Sequence, residues 1–233
     1  MTTGPRSTPP PEVLSGIGVS PGIAIGRAVV IEGPSLGVFR VDCAAEEVPA
    51  EVRRFQRAVR AAWRQLRDIR DRIRKEAGEP YARVFQAQIL ILKDRALLAE
   101  TVALIRREGV NAEWALRTVV RRYTQVFAQM DDASLKDRGT DIEDVEARIQ
   151  SVLTGSRRRH DLAGLSEDAI VVATGLSPSD VVSMNRNHVI GLALDGGGRT
   201  SHAAILAGAL ALPAVVGLRE ASTRVRTGDA LLL

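Results

Sequence analysis

Residues 195–207 read D-G-G-G-R-T-S-H-A-A-I-L-A, and this stretch decides how the rest of the sequence is interpreted. The apolar run 189–194 before it is typical of a buried strand. Three glycines follow the run, and glycine allows positive φ and a close approach of the backbone to a ligand. Thr200 or Ser201 can cap a helix that begins here, which places His202 in the first helical turn.

A helix start of this kind favours anion binding, because its free backbone N–H groups and its dipole both point toward the bound group. A histidine there is a candidate nucleophile toward phosphorus, since neutral imidazole carries a lone pair near physiological pH. His202 is therefore the candidate catalytic residue. The residues expected to support a phosphate on it are Gly197, Gly198, Arg199, Thr200 and Ser201. The pattern alone leaves a packing or surface histidine as the alternative, because a glycine-rich loop is a weak signal by itself.

The sequence over 44–155 has the periodicity of helices. Its first apolar stripe has gaps of four and three residues and predicts one long helix over 49–77, with Gly78 at its end. The stripe comprises Val48, Val52, Phe55, Val59, Ala62, Leu66, Ile69 and Ile73. Further helices are predicted over 81–93, 95–107, 112–130 and 141–153, with Asn111 and Thr140 as N-caps. Such a block is expected to form an antiparallel helical bundle.

Short apolar runs alternate with helical patterns in the last third of the chain, which is the rhythm of a β/α domain. The runs are 169–173, 189–194, 214–216 and 230–233, and the helices are 178–185 and 201–210. An earlier strand over 23–31 is expected to join the same sheet. The predicted fold class is therefore α/β + α. Residues 14–35 and 158–233 form a discontinuous β/α domain, 36–157 an inserted helical subdomain, and 1–13 a disordered tail.

The composition limits the classes of function. The formal net charge is +4, basic and acidic residues are interspersed, and aromatics make up only 3%, so nucleic-acid binding is not expected. The single cysteine, Cys43, excludes an internal disulfide and a Cys-rich zinc site and fits a reducing cytoplasm. No pair of His, Asp or Glu has a convincing metal-ligand spacing. No apolar stretch is long enough to cross a bilayer and the first residues do not form a signal peptide, so we expect a cytoplasmic protein.

The segment G-G-R-T-S-H-A-A-I-L-A, followed by L-P-A-V-V-G at 212–217, resembles the phosphohistidine signature of the phosphoenolpyruvate-utilising enzymes. These include Enzyme I of the bacterial sugar phosphotransferase system, pyruvate phosphate dikinase and phosphoenolpyruvate synthase. Two more segments resemble Enzyme I: L-S-G-I-G-V-S-P-G-I-A-I-G at 14–26 and M-D-D-A-S-L-K-D-R-G-T-D-I-E-D-V at 130–145. The resemblance covers about residues 14–233, nearly the whole chain.

This resemblance implies a swivelling α/β phosphohistidine domain with an inserted antiparallel helical-bundle subdomain that docks the small carrier protein HPr. In the family a histidine, matched here by His202, receives phosphate from phosphoenolpyruvate and passes it to a histidine of HPr. The positions that match the HPr-facing surface are Glu79, Gln88, Asp94 and Arg138.

The family binds phosphoenolpyruvate and Mg²⁺ in a C-terminal barrel to which nothing in this sequence corresponds. We therefore expect this chain to bind no metal or cofactor and to exchange phosphate with HPr only. Because Enzyme I dimerises through that barrel, we expect a monomer whose partners are HPr and the barrel itself.

Three positions depart from the family pattern. Gly208 stands where the family has an arginine, and Arg199 is a candidate to supply the missing cation. Val181 stands where a threonine donates a hydrogen bond to the active histidine, and Gln88 replaces a histidine in the HPr-facing helix. Two alternatives stay open: a degenerate homologue that binds an HPr-like carrier without chemistry, and the swivel domain of a dikinase-type enzyme, against which the helical block argues.

Overall fold

Two separate parts of the chain build one six-stranded sheet in the computed structural model, which describes residues 12–31, 38–129, 133–155, 162 and 164–233, and for 133–138 the backbone alone. The strands are β1 (Ile17–Ser20), β2 (Ile25–Ile31), β3 (Ala169–Ala173), β4 (Val189–Leu194), β5 (Ala214–Val216) and β6 (Ala230–Leu232). Their spatial order is β1-β5-β4-β3-β2-β6. Residues 1–11 of the predicted tail lie outside the described residues.

The early strand joins the later sheet, as predicted. β2 runs parallel to β3, with Arg27 opposite Ala169 and Ile31 opposite Ala173. β3, β4 and β5 continue the parallel order, while β1 and β6 are antiparallel edge strands. The mixed sheet with its helices confirms the α/β part of the predicted fold class. β1 was not predicted as a separate strand.

The helices before β3 are α1 (Val48–Glu76), α2 (Glu79–Ala82), α3 (Gln86–Ile91), α4 (Arg95–Glu108), α5 (Ala112–Ala128) and α6 (Ala133–Thr154), with a 3₁₀ turn at Arg83–Phe85. Those after β3 are α7 (Pro178–Ser183), α8 (His202–Ala209) and α9 (Ala221–Arg224). The predicted stripe of α1 is buried at Val52, Phe55 and Leu66, so amphipathic packing accounts for the length of this helix.

Two helix predictions were wrong. The single helix expected over 81–93 is divided into α2, the 3₁₀ turn and α3. α6 begins at Ala133 rather than near residue 141, so Thr140 lies inside the helix and does not cap it. α6 packs along α5, and Gly139 is buried where an added Cβ would lie 3.9 Å from Phe127 Cβ. This tertiary packing outweighs the weak helix propensity of glycine and threonine.

α7 and α8 lie between the sheet and the earlier helices. Val171 and Ala173 of β3 belong to the same hydrophobic cluster as the buried residues of α1 to α8, whereas Ile170 and Val172 face a second cluster with α9. This alternation is the two-residue period of a strand. α1 contacts α7 and α2 contacts α8, so the start of α8 lies at the junction between the helical block and the sheet.

Candidate functional site

The loop between β4 and α8 needs glycine at one particular position. Gly197 has φ +90°, and a Cβ added there would lie 3.0 Å from Ser201 Oγ. Residues other than glycine are strained in that backbone region. Gly198 meets nothing within 4 Å of an added Cβ. Of the two candidate phosphate-loop glycines, therefore, the backbone requires Gly197.

Asp195 fastens this loop to the segment after β5. Its two carboxylate oxygens accept the backbone N–H of Ser222, each at 3.2 Å, and it also accepts the Ser222 hydroxyl. On the other side, the Gly196 N–H donates to the Thr174 carbonyl at 2.9 Å. The loop is thus held from two neighbouring segments before it reaches the helix. No pattern in the sequence pointed to the Asp195–Ser222 pair.

Ser201 caps α8 and sets the position of His202. Ser201 has extended backbone (φ −65°, ψ 151°), and its hydroxyl accepts the Ala204 N–H at 3.4 Å. Of the two candidate caps, Ser201 is therefore the one used. His202 is the first residue of the helix, where the backbone N–H groups have no partner within the helix. Arg199 and Thr200 are exposed in the turn just before it.

A buried carboxylate faces the histidine from the helical block. Asp141 Oδ1 lies 3.6 Å from His202 Nδ1, and the two side chains are 7% and 30% exposed. Asp141 belongs to α6, so this contact joins the helical block to the glycine loop. The spacing of residues in the sequence did not single out Asp141. Its place in the Enzyme I-like segment 130–145 was the one signal that pointed to it.

The neighbouring helix α7 offers no hydroxyl at the family's threonine position. Val181 is buried in the core at 1% exposure. Asp180, next to it, accepts the Ser177 N–H at 2.9 Å and the Ser177 hydroxyl at 2.7 Å, which completes a capping box at the start of α7. Gly208 is exposed near the end of α8, and an added Cβ there meets nothing within 4 Å.

The four residues expected to face a carrier protein are placed differently from one another. Glu79 is exposed at the start of α2, which contacts α8. Asp94 is exposed, but its carboxylate caps α4 by accepting the N–H groups of Ala96 at 2.8 Å and Leu97 at 3.0 Å. Arg138 lies in the part of α6 for which only the backbone is described.

The expectation that Gln88 contacts a carrier directly was wrong. Its side chain is 2% exposed, and its Nε2 donates to Asp144 Oδ2 of α6 at 3.0 Å. A buried amide with such a partner fixes α3 against α6 and offers no surface to another protein. Leu90, on the same short helix, is 58% exposed and was not predicted.

Two general features of the described residues bear on the kind of site. Within the described ranges, no three His, Cys, Asp or Glu residues are close enough together to hold a metal ion. No helix within them combines the length and the apolar character needed to cross a membrane.

Comparison with known proteins identifies the family of this chain. The family model for PEP-utilising enzyme, N-terminal, matches residues 15–138, and that for PEP-utilising enzyme, mobile domain, matches residues 165–233. The phosphoenolpyruvate-protein phosphotransferase of Bacillus subtilis is 38% identical over 220 residues, 94% of this chain. The protein of the same name from Haemophilus influenzae is 36% identical over 221 residues, 95% of this chain.

Two solved structures share the fold. A solution structure of Enzyme I has a TM-score of 0.71 and 33% identity, and the match covers 95% of this chain and 89% of that one. The N-terminal domain of the nitrogen-type Enzyme I has a TM-score of 0.64 at 24% identity, over 94% of this chain and 93% of that one. The chain spans 38% of the length of the curated relatives named above. It therefore belongs to the family of phosphoenolpyruvate-utilising enzymes, and it corresponds to the N-terminal part of Enzyme I.

Proposed function

We propose that this chain carries a phosphoryl group on His202 and exchanges it with a histidine of an HPr-type carrier. The observation that carries this proposal is the position of His202, 30% exposed as the first residue of a capped helix that follows a glycine loop. The N–H groups and dipole of α8 stabilise the negative charge of a phosphoryl group held there, by about 0.3–1 kcal/mol for an exposed charge.

The transfer step needs no group beyond the two histidines. A ring-nitrogen lone pair of His202 attacks the phosphorus of the phosphorylated carrier histidine. A new N–P bond forms on His202 while the N–P bond of the carrier breaks, and the carrier imidazole leaves with the electron pair of that bond. The same path in reverse passes the phosphoryl group from His202 to the carrier.

The parts of the chain take different tasks in this proposal. Residues 14–35 and 158–233 act as the swivelling phosphohistidine domain, and the inserted helical bundle over 36–157 docks HPr. Exposed Glu79 and Leu90 on α2 and α3 support a docking face near α8. An exposed acidic residue on these helices suits a carrier with basic residues around its histidine, because complementary charge speeds association.

Loading from phosphoenolpyruvate belongs, in this proposal, to the C-terminal barrel of the longer enzymes, together with the Mg²⁺ that the reaction uses. The residues of this chain accept, hold and donate the phosphoryl group. The chain alone is then expected to be a cytoplasmic monomer that is labelled by phosphorylated HPr and not by phosphoenolpyruvate.

The test is to mix the chain with ³²P-phosphorylated HPr and to look for acid-labile, base-stable label on it. His202→Ala should abolish the label. His188→Ala is the matched control, because His188 is 34% exposed and its Nδ1 lies 3.2 Å from Asp168 Oδ1, yet it is not at a helix start. Absence of label on the wild-type chain, or label that survives in His202→Ala, would overturn the proposal.

One observation favours a second candidate, a homologue that binds the carrier without chemistry. Val181 and Gly208 remove a hydroxyl and a cation that the family places around its histidine. In that case the chain would bind HPr but take no label from it, so a binding measurement beside the labelling experiment separates the two functions.

A further inference from the structure

Asp141 and His202 come from different halves of the molecule, yet they meet at the junction between them. Asp141 lies in α6 of the helical block, and His202 opens α8 beside the sheet. The Oδ1–Nδ1 distance is 3.6 Å, and the carboxylate is 7% exposed. A carboxylate buried to this degree interacts with a neighbouring ring more strongly than one in water, because solvent screens it less.

We propose that Asp141 is a positioning residue that holds the Nδ1–H of His202 and so leaves the lone pair on Nε2. This inference rests on the proposed function, since it names the residue that prepares the histidine for phosphoryl transfer. Asp141 acts through the ring and touches neither the phosphoryl group nor the carrier.

The contact matters because a neutral imidazole has two tautomers. Free histidine prefers the proton on Nε2, which leaves the lone pair on Nδ1. A carboxylate beside Nδ1 reverses the preference, because it accepts a hydrogen bond from Nδ1–H and cannot donate one in its ionised form. A distance of 3.6 Å is slightly longer than a hydrogen bond. Such contacts in free enzymes commonly shorten when the partner binds.

The same carboxylate stabilises the loaded histidine. When Nε2 forms the bond to phosphorus, the ring keeps its Nδ1 proton and becomes cationic. A negative charge next to Nδ1 then lowers the free energy of the phosphorylated ring, as an aspartate does for the imidazolium of a catalytic triad. At the family's threonine position α7 carries Val181, whose apolar side chain cannot take over this role.

The position of the pair adds a consequence for the proposed swivelling motion. Asp141 moves with the helical block and His202 with the sheet, so the contact exists only while the two are together. The nucleophilic tautomer is therefore favoured in the orientation that faces the carrier-docking helices.

The tautomer can be observed without any phosphoryl transfer. Long-range ¹H–¹⁵N correlations on the ¹⁵N-labelled full chain, at a pH where His202 is neutral, should show a protonated Nδ1 and an unprotonated Nε2. Asp141→Ala should move the proton to Nε2. Asp168→Ala is the matched control, since it removes the carboxylate beside His188 and should leave the His202 signals unchanged. An Nε2–H tautomer in the wild type, or an unchanged tautomer in Asp141→Ala, would overturn the inference.

A second readout separates this inference from the proposed function. Asp141→Ala should slow labelling by phosphorylated HPr about ten- to a hundredfold, the range known for carboxylates that orient a metal-binding histidine, while HPr affinity stays the same. The amide spectrum shows whether Asp141→Ala folds. If it does not, Asp141→Asn takes its place, because asparagine keeps the shape of the side chain and removes its charge. Asp141→Asn should weaken the preference of His202 for the Nδ1–H tautomer. A wild-type chain that takes no label but has the Nδ1–H tautomer refutes the proposed function alone.

Discussion

Glu51 in the first turn of α1 accepts the backbone N–H of Ala112 at 2.6 Å, so one helix supplies the cap of another that begins 61 residues later. The same carboxylate accepts two bonds from the Arg54 guanidinium, at 2.9 and 2.8 Å. Arg54 also donates to Glu113 of α5 and, at 3.1 Å, to the Leu153 carbonyl of α6. Three helices are thus fastened together at one end of the helical block.

Replacing Glu51 should make the stability less sensitive to acid. Burial raises the pKa of Glu51, but hydrogen bonds from Arg54 and the Ala112 N–H outweigh it and hold the pKa below the ordinary 4.5. A carboxyl whose pKa is lowered on folding adds stability above its unfolded pKa, and this is lost as the pH falls through the folded pKa. Glu51→Gln should therefore cost about 1–3 kcal/mol at pH 7.

Urea unfolding checks this prediction at pH 7 and at a pH well below 4.5. The difference between wild type and Glu51→Gln should shrink in acid. Exposed Glu46 is the control, and Glu46→Gln should change stability little at either pH. A difference that stays constant with pH would contradict the role given to the Glu51 charge.

Gly197→Ala should distort the loop that presents His202. Its φ of +90° disfavours alanine, and the new Cβ would press on Ser201 Oγ, the cap of α8. We expect a loss of about 1–3 kcal/mol, the usual cost of a side chain held in that backbone region, together with slower labelling by phosphorylated HPr. Gly198→Ala has open space and no positive φ, so it should not cost this stability. Equal effects of the two variants would refute the assignment of the strained position.

Gly208→Arg should lengthen the lifetime of the phosphohistidine, because it returns a cation to the helix that carries it. The site accepts a side chain, since an added Cβ meets nothing within 4 Å. Gly208→Ala separates charge from helix propensity. Both variants should gain about 0.5–1 kcal/mol in thermal or urea unfolding. Only the arginine should slow the loss of label from the isolated phosphorylated chain.

Arg199→Ala should shorten that same lifetime if Arg199 stands in for the missing cation. Its side chain is exposed in the turn that leads to His202. Arg199→Lys keeps the charge and should keep most of the lifetime. An unchanged rate of label loss in Arg199→Ala would count against this role.

Gln88→Leu should destabilise the helical block and leave the docking surface in place. The change keeps the volume but removes the donor to Asp144, at a cost of about 1–3 kcal/mol. Gln86→Leu, an exposed position on the same helix, should change stability by less than about 0.5 kcal/mol. A clear loss of HPr affinity in a folded Gln88→Leu chain would restore Gln88 as a carrier contact.

The sequence predicted the site where the signals are local. A strand, a positive-φ glycine, a serine cap and a histidine follow one another within residues 189–202, and each depends on its near neighbours in the chain. Asp141 and the Asp195–Ser222 pair were not predicted, because their partners are distant in sequence and only the packed structure brings them together. Asn111 combines a local feature that was predicted with a distant contact that was not. It occupies the predicted N-cap position of α5, but its Oδ1 accepts the Val41 N–H instead of capping that helix.

The sheet combines strands from the beginning and the end of the chain, and this limits the order in which the protein can fold as it leaves the ribosome. All residues of α1 to α6 are synthesised before β3, the parallel partner of β2, and β6 closes the other side of β2 later still. The helices α1 to α6 can pack on one another before β3 is made, whereas β1 and β2 must wait for pairing partners that emerge much later. A nascent chain would therefore complete the helices α1 to α6 before His202 and the sheet beside it have been synthesised.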